Sequence, residues 1–315
     1  MTSLGKITIR NVDSGEYTRM FPHTVSVFDS VDFATLNSAR AEETLHLVFF
    51  DSSGNPVMGW IAGRRDGQIL APFSAPYSCP SANTVLPVEV LVECMRSLHS
   101  YAGGNMHLTL PPDFYAPDFL PALKAAILTA GGTLRHADYN YHCEVERAAD
   151  PATPPSRTAR QELRRAINSD RMVYEIPDSA DRNQIERVYR IIEANHSDKG
   201  YPVKMSLDQL TDTFMMTGGL LSVITCDGED AAAQIGYYSS DNVYQPVYWG
   251  DLPQWSHMHP MRLLFHRLAT HLLDIGKASV IDLGPSSENG IPAYGLCAFK
   301  TSMGCHLSLK PTFTI

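Results

Sequence analysis

IDLGPSSENGIPAYGLCAFKTSMG, residues Ile281 to Gly304, joins a short apolar strand to a polar loop and then to a helix-like run. The strand carries Asp282, and the helix carries one basic residue, Lys300, before stopping at Gly304. Polar residues gathered at a strand end commonly serve a site. Upstream, Ser279–Leu283 is the strand itself. It follows a helix over Pro260–Ile275, whose Met261, Leu264, Phe265, Leu268, Leu272 and Ile275 recur at helical spacing. Before that come three β-prone runs, Leu220–Cys226, Ala231–Tyr238 and Val243–Trp249, separated by Asp227–Gly228 and Asp241–Asn242 turns. Downstream, Cys305–Phe313 reads as a last strand. Three helices precede the β-runs, over Thr158–Asn168, Arg182–Asn195 and Leu207–Thr217.

The same order occurs earlier in the chain. After a strand at Lys6–Arg10 and a short helix near Val31–Arg40, three strands are expected at Leu45–Phe50, Val57–Ala62 and Gln68–Phe73. A helix from Val88 to about Tyr101, a strand Met106–Leu110, a helix Asp118–Ala130 and a long strand Leu134–Glu146 follow. Corresponding elements are offset by roughly 170–175 residues, the mark of an internal repeat. Asp150–Ser156 is the one proline-rich break in the middle, so two domains are expected, residues 1–150 and 151–315. Hairpin-linked strands pair antiparallel, whereas a strand–helix–strand crossover pairs parallel. The fold class is therefore α/β, in the α+β sense of a mixed sheet in each half.

At 315 residues and 44% hydrophobic, the chain has material for two cores. Its net charge of −9 includes no basic tract, which removes general attraction to DNA or to an anionic membrane and leaves a local RNA-binding patch open. Six dispersed cysteines with no CxxC pair read as reduced thiols. The first residues, Met1–Lys6, carry no signal-peptide pattern, and no run approaches the ~18 apolar residues of a span. A cytoplasmic protein is expected.

A meander of three antiparallel strands followed by helix–strand–helix–strand resembles the acetyltransferase fold called GNAT. Two copies in one chain resemble the bacterial FemAB group of peptidyl- and aminoacyl-transferases. The local motifs are the Arg160–Arg164–Arg165–Ala166 run, the Lys199–Gly200–Tyr201–Pro202 turn, Asp282–Leu283–Gly284, and Phe299–Lys300 shortly before Gly304. The resemblance implies two tandem GNAT (acyl-CoA N-acyltransferase-like) domains. It also implies that Lys300 stands four residues before a glycine, where many GNAT enzymes keep a catalytic tyrosine and FemAB enzymes a lysine. The same count back from Gly131–Gly132 in the first half gives Ile127 or Leu128, neither able to protonate a leaving group or hold a phosphate. A silent first domain and a C-terminal active site follow.

The expected pyrophosphate loop departs from the GNAT pattern. Trp249–Pro260 has two prolines, an aspartate and no paired glycines, and Ser74–Ser81 in the first half is no better. No tightly bound cofactor is expected. The donor is aminoacyl-tRNA or an acyl-CoA, and the acceptor is a small-molecule or peptide-like amine. Lys300 is expected to stabilise an oxyanion, and Asp282 to handle a proton or position the acceptor. Arg160 and Arg164, on one helix face with Arg157, would take anionic parts of a substrate, as would Lys199. Tyr248, Trp249 and Phe299 would line the cleft. His266 and His271 project ~140° apart on a helix and cannot share a metal. Two alternatives stand beside aminoacyl transfer: acetyl-CoA-dependent N-acetylation through a divergent loop, and a catalytically silent binding module.

Overall fold

The structure is a computed structural model that describes residues 6–200 and 203–315. The first five residues, and Tyr201 and Pro202 of the expected turn, lie outside the described residues. The chain forms two compact units.

The first unit runs to Tyr139 and also takes residues 287–291 and 308–315. Its elements are β1 (Thr8–Asn11), α1 (Ser14–Met20), α2 (Val31–Leu36), β2 (Glu43–Phe50), β3 (Pro56–Arg65), β4 (Gln68–Ala71), α3 (Val88–Ala102), β5 (Met106–Thr109), α4 (Leu120–Thr129) and the start of β6 (Thr133–Glu144). Strands β1 to β4 pair antiparallel in sequence order, and β5 joins β4 in parallel. Strands β2 and β3 are buried along most of their length. A buried carboxylate sits in this core. Asp29 accepts from the Cys79 N–H at 2.7 Å and from the Ser26 hydroxyl at 2.8 Å. Burial raises its pKa to about 7.

The second unit holds Asn140–Ser286 and Pro292–Leu307. It contains α5 (Val145–Ala149), α6 (Arg157–Ile167), β7 (Met172–Glu175), α7 (Arg182–Asp198), α8 (Leu207–Thr217), β8 (Leu220–Cys226), β9 (Glu229–Ser240), β10 (Val243–Asp251), α9 (Pro260–Ile275), β11 (Val280–Pro285) and α10 (Tyr294–Ser302). The short strands β12 (Ser287–Glu288) and β13 (Ile291–Pro292) precede α10, and β14 (His306–Thr314) follows it. Strands β7, β8, β9 and β10 pair antiparallel, β11 lies parallel to β10, and the end of β6 pairs antiparallel with β11.

Two expectations about the halves are altered. The units are not the contiguous segments 1–150 and 151–315, because each takes its last strand from the other stretch of chain. Thr312–Thr314 of β14 pair with His107–Thr109 of β5 in the first unit, while Asn140–Glu144 of β6 pair with β11 in the second. Phe313 and Ile315 are buried there, which rewards the exchange with apolar burial. The proline-rich segment is also no free connector. Arg160 donates to the carbonyls of Pro154 and Pro155 at 2.7 and 2.9 Å, and Pro154 is buried within the second unit. Among the described residues, no helix is long and apolar enough to cross a membrane.

Candidate active site

Strands β10 and β11 are in register at only two pairs, Val243–Val280 and Tyr244–Ile281. Beyond them β10 continues to Asp251 and β11 to Pro285 without pairing to each other, so the sheet of the second unit opens between them. A bulge in the β6–β11 ladder between Asp282 and Pro285 turns β11 further.

Lys300 sits on α10 with 1% of its surface exposed, and its ammonium reaches the end of β11. Nζ donates to the carbonyls of Leu283, Gly284 and Pro285 at 2.8, 2.9 and 3.3 Å. The ammonium thereby meets three consecutive backbone acceptors. The Tyr141 ring lies 5.8 Å from Nζ. Asp282 is equally buried and accepts from Asn140 Nδ2 at 2.7 Å and from the Gly284 N–H at 3.0 Å. Gly284 is thus clamped by its N–H to Asp282 and by its C=O to Lys300. Its φ of +70° is one that glycine adopts without strain.

Alternation along β11 places Asp282 on the opposite face from Ile281 and Leu283. Lys300 approaches from the side of Tyr141 and Cys143, which alternate with Asn140 and His142 along β6. Both residues bond the β11 backbone, Asp282 at the Gly284 N–H and Lys300 at the carbonyls of Leu283, Gly284 and Pro285.

The other expected residues fall into separate groups. Tyr248 lies on the face covered by α7 and α8. Its hydroxyl accepts from the Met205 N–H at 3.2 Å, its ring meets His196 at 5.9 Å, and burial pushes its phenol pKa up. Lys199 donates to Asn195 Oδ1 at 3.1 Å, and Asn195 in turn donates to the Asp251 carbonyl at 2.6 Å. Trp249 faces the other way and packs with Phe299, ring centroids 6.1 Å apart. Arg160 is spent on the proline segment rather than joining an anion clamp, whereas Arg164 is exposed on α6.

A residue that sequence reading missed organises the Phe299 side. Arg262 of α9, 12% exposed at its side chain, pairs with Glu162 at 3.0 Å. It also donates to Ser302 Oγ at 3.0 Å and lies 5.8 Å from the Phe299 ring. It thereby ties α6, α9 and α10 together. A charge set inside the apolar run Met261–Leu264 was the available signal.

The segment between β10 and α9 folds as a 3-10 helix, Pro253–Met258, ending at His259 with φ +60°. Backbone bonds close the segment and lead into α9. Trp255, His259 and Arg262 donate to the carbonyls of Leu252, Ser256 and His259. The Asp251 carboxylate accepts from Ser256 Oγ at 2.8 Å. Among the described residues no group of three His, Cys, Asp or Glu side chains could hold a metal ion.

A meander joined to a parallel pair that parts at its end, with a helix closing over the parting, defines the GNAT class. Residues 156–300 match the family described as "Acetyltransferase (GNAT) domain", and this segment is a GNAT acyltransferase domain. No curated protein matches the chain. Among solved structures, FemX matches with TM-score 0.65 at 10% identity, covering 97% of this chain and 96% of its own. L-PGS from Bacillus licheniformis matches at 0.56 and 11%, covering 97% and 92%. A tandem GNAT protein from the clavulanic acid biosynthesis pathway matches at 0.55 and 10%, covering 98% of each. At such identities the likeness is one of fold, and the fold is a tandem GNAT arrangement.

Proposed function

We propose that this acyltransferase moves an aminoacyl group from an aminoacyl-tRNA to an amine, at the opening between β10 and β11. The observation that carries the reading is Lys300, a buried ammonium bound to the three carbonyls at the parted end of β11. A donor ester seated in the opening would present its carbonyl to a charge already fixed in place, which costs no reorganisation during reaction. The amine nitrogen attacks the ester carbon, a C–N bond forms, and the developing oxyanion is stabilised by Lys300. The C–O bond then breaks, and the proton lost by the amine ends on the leaving hydroxyl oxygen. Asp282 positions Gly284 for this step.

A tRNA donor is favoured over CoA by the two prolines, which lack N–H donors, and by the Asp251 carboxylate in the segment between β10 and α9. The fold likeness to FemX and L-PGS supports the same choice. Exposed Arg164 and Lys199 are assigned to anionic parts of the donor. Six free cysteines fit a bacterial, cytosolic setting. A second reading, N-acetylation from acetyl-CoA, draws on the family description and on the open strand pair. Saturable acetyl-CoA binding in calorimetry decides for it.

The deciding experiment compares Lys300→Met with wild type in aminoacyl transfer, at a temperature where circular dichroism shows both folded. Transfer is expected to fall by at least about a hundredfold. Retained transfer removes Lys300 from the mechanism. The melting temperature also drops, because three carbonyls lose their donor, at a cost on the order of 2–4 kcal/mol.

A further inference from the structure

On the face of the second unit covered by α7 and α8, two buried polar groups have no hydrogen-bond partner among the described residues: Tyr237 Oη and Gln245 Oε1. The residues are 1% and 5% exposed. They face each other in register across β9 and β10, so their side chains project side by side from the same face. Folded proteins leave few buried polar atoms unpaired, and two in one register pair concentrate the cost at a single place. Phe214 packs on the Tyr237 ring with centroids 6.3 Å apart. The β-bulge between Pro246 and Tyr248 brings Tyr248 onto the same face. Its hydroxyl accepts from the Met205 N–H, and neither Tyr237 Oη nor Gln245 Oε1 is bonded to it.

Their place in the sheet gives the pair a use. Gln245 is the first residue of β10 beyond the last pair with β11, so it stands at the mouth where the strands part. By alternation it projects on the same side as Asp282. Burial pushes the Tyr237 phenol up, which keeps its hydroxyl protonated. An unpaired amide oxygen calls for an N–H donor, and an adjacent hydroxyl oxygen can accept a second.

We propose that Gln245 and Tyr237 hold the acceptor amine, Gln245 Oε1 accepting one N–H and Tyr237 Oη the other, with the nitrogen lone pair left for the opening between β10 and β11. The assignment rests on the acyl-transfer reading. It adds the two side chains that hold the acceptor nitrogen and select it over an alcohol of the same shape.

The test uses the full chain as wild type, Gln245→Met, Tyr237→Phe and Lys300→Met. Binding of n-butylamine and glycinamide is measured by calorimetry against 1-butanol and glycolamide. Wild type is expected to bind at least one amine saturably and none of the matched compounds. Gln245→Met and Tyr237→Phe are expected to weaken that binding tenfold or more. Their ligand-free melting temperatures should equal or exceed that of wild type, because each loses an unpaired buried atom and no bond. Lys300→Met should keep the amine affinity while losing transfer. Amine affinity unchanged in both variants overturns the proposal, as does a lowered melting temperature in both, or a wild type that binds none of the amines. Amine binding that depends on Gln245 and Tyr237, in a protein that transfers nothing, would instead sink the transfer reading and leave the amine site standing.

Discussion

Strands β4 and β5 of the first unit and β10 and β11 of the second are the corresponding parallel pairs. In the first, three consecutive pairs hold, Ile69–Met106 to Ala71–Leu108, along strands only four residues long. The chain after β4 is drawn onto the end of this pair. The Ser78 N–H donates to the Thr109 carbonyl, Trp60 Nε1 donates to Ser78 Oγ, and Cys79 is held by Asp29. In the second unit, strands of nine and six residues pair at two positions and part. The difference reaches the helix that follows. Ile127 of α4 is fully buried in apolar packing against Gly132, whereas Lys300 of α10 carries its charge to the carbonyls of the parted strand. A closed strand end needs no cation, and an open one leaves carbonyls that a cation can bind. The same topology thus makes core in one place and a site in the other.

Changes that force one unit toward the other test this contrast. Ile127→Lys gives the first unit the lysine without unpaired carbonyls to receive it. It is expected to cost about 3–5 kcal/mol in chemical denaturation and to add no transfer activity. A stable variant would mean that the first unit also has an open strand end.

Asp29→Asn addresses the closed end itself. The folded carboxyl titrates near 7 against an ordinary 3.8, so its contribution to stability is complete below pH ~4. It is lost as the pH climbs from about 4 to about 7. Relative to Asp29→Asn, wild type should therefore lose on the order of 3 kcal/mol over that window and nothing further above it. Parallel stability curves for the two proteins between pH 4 and 8 would show that the carboxyl is not held as described.

Gly284→Ala is the mildest change to the open end. A φ of +70° strains alanine by about 1–2 kcal/mol, although the space beside Gly284 is clear. Transfer should weaken with the clamp between Asp282 and Lys300. Unaltered kinetics would detach Gly284 from the site.

Much of the architecture was readable because local chemistry punctuates it. The helix Leu207–Thr217 is bounded by a capping box, Ser206 with Gln209, and by Gly218 at φ +66°. Pro260 and Gly276 bracket α9 in the same way. The position of Lys300 followed from its spacing to Gly304. What it binds did not, because backbone carbonyls have no signature in a sequence. The exchange of final strands was hidden for a similar reason, since pairing across two hundred residues has no local sign. Tyr237 and Gln245 looked like ordinary members of alternating strands. Only Pro246, unable to donate within a central strand, hinted that β10 is bulged there.

The exchanged strand also sets an order of events during synthesis. Residues 308–315 leave the ribosome after the whole second unit has been made, and β5 of the first unit has no other partner on that side until they do. The first unit to be translated is therefore the last to be finished. Its open β5 edge has to stay unaggregated throughout translation of the second unit.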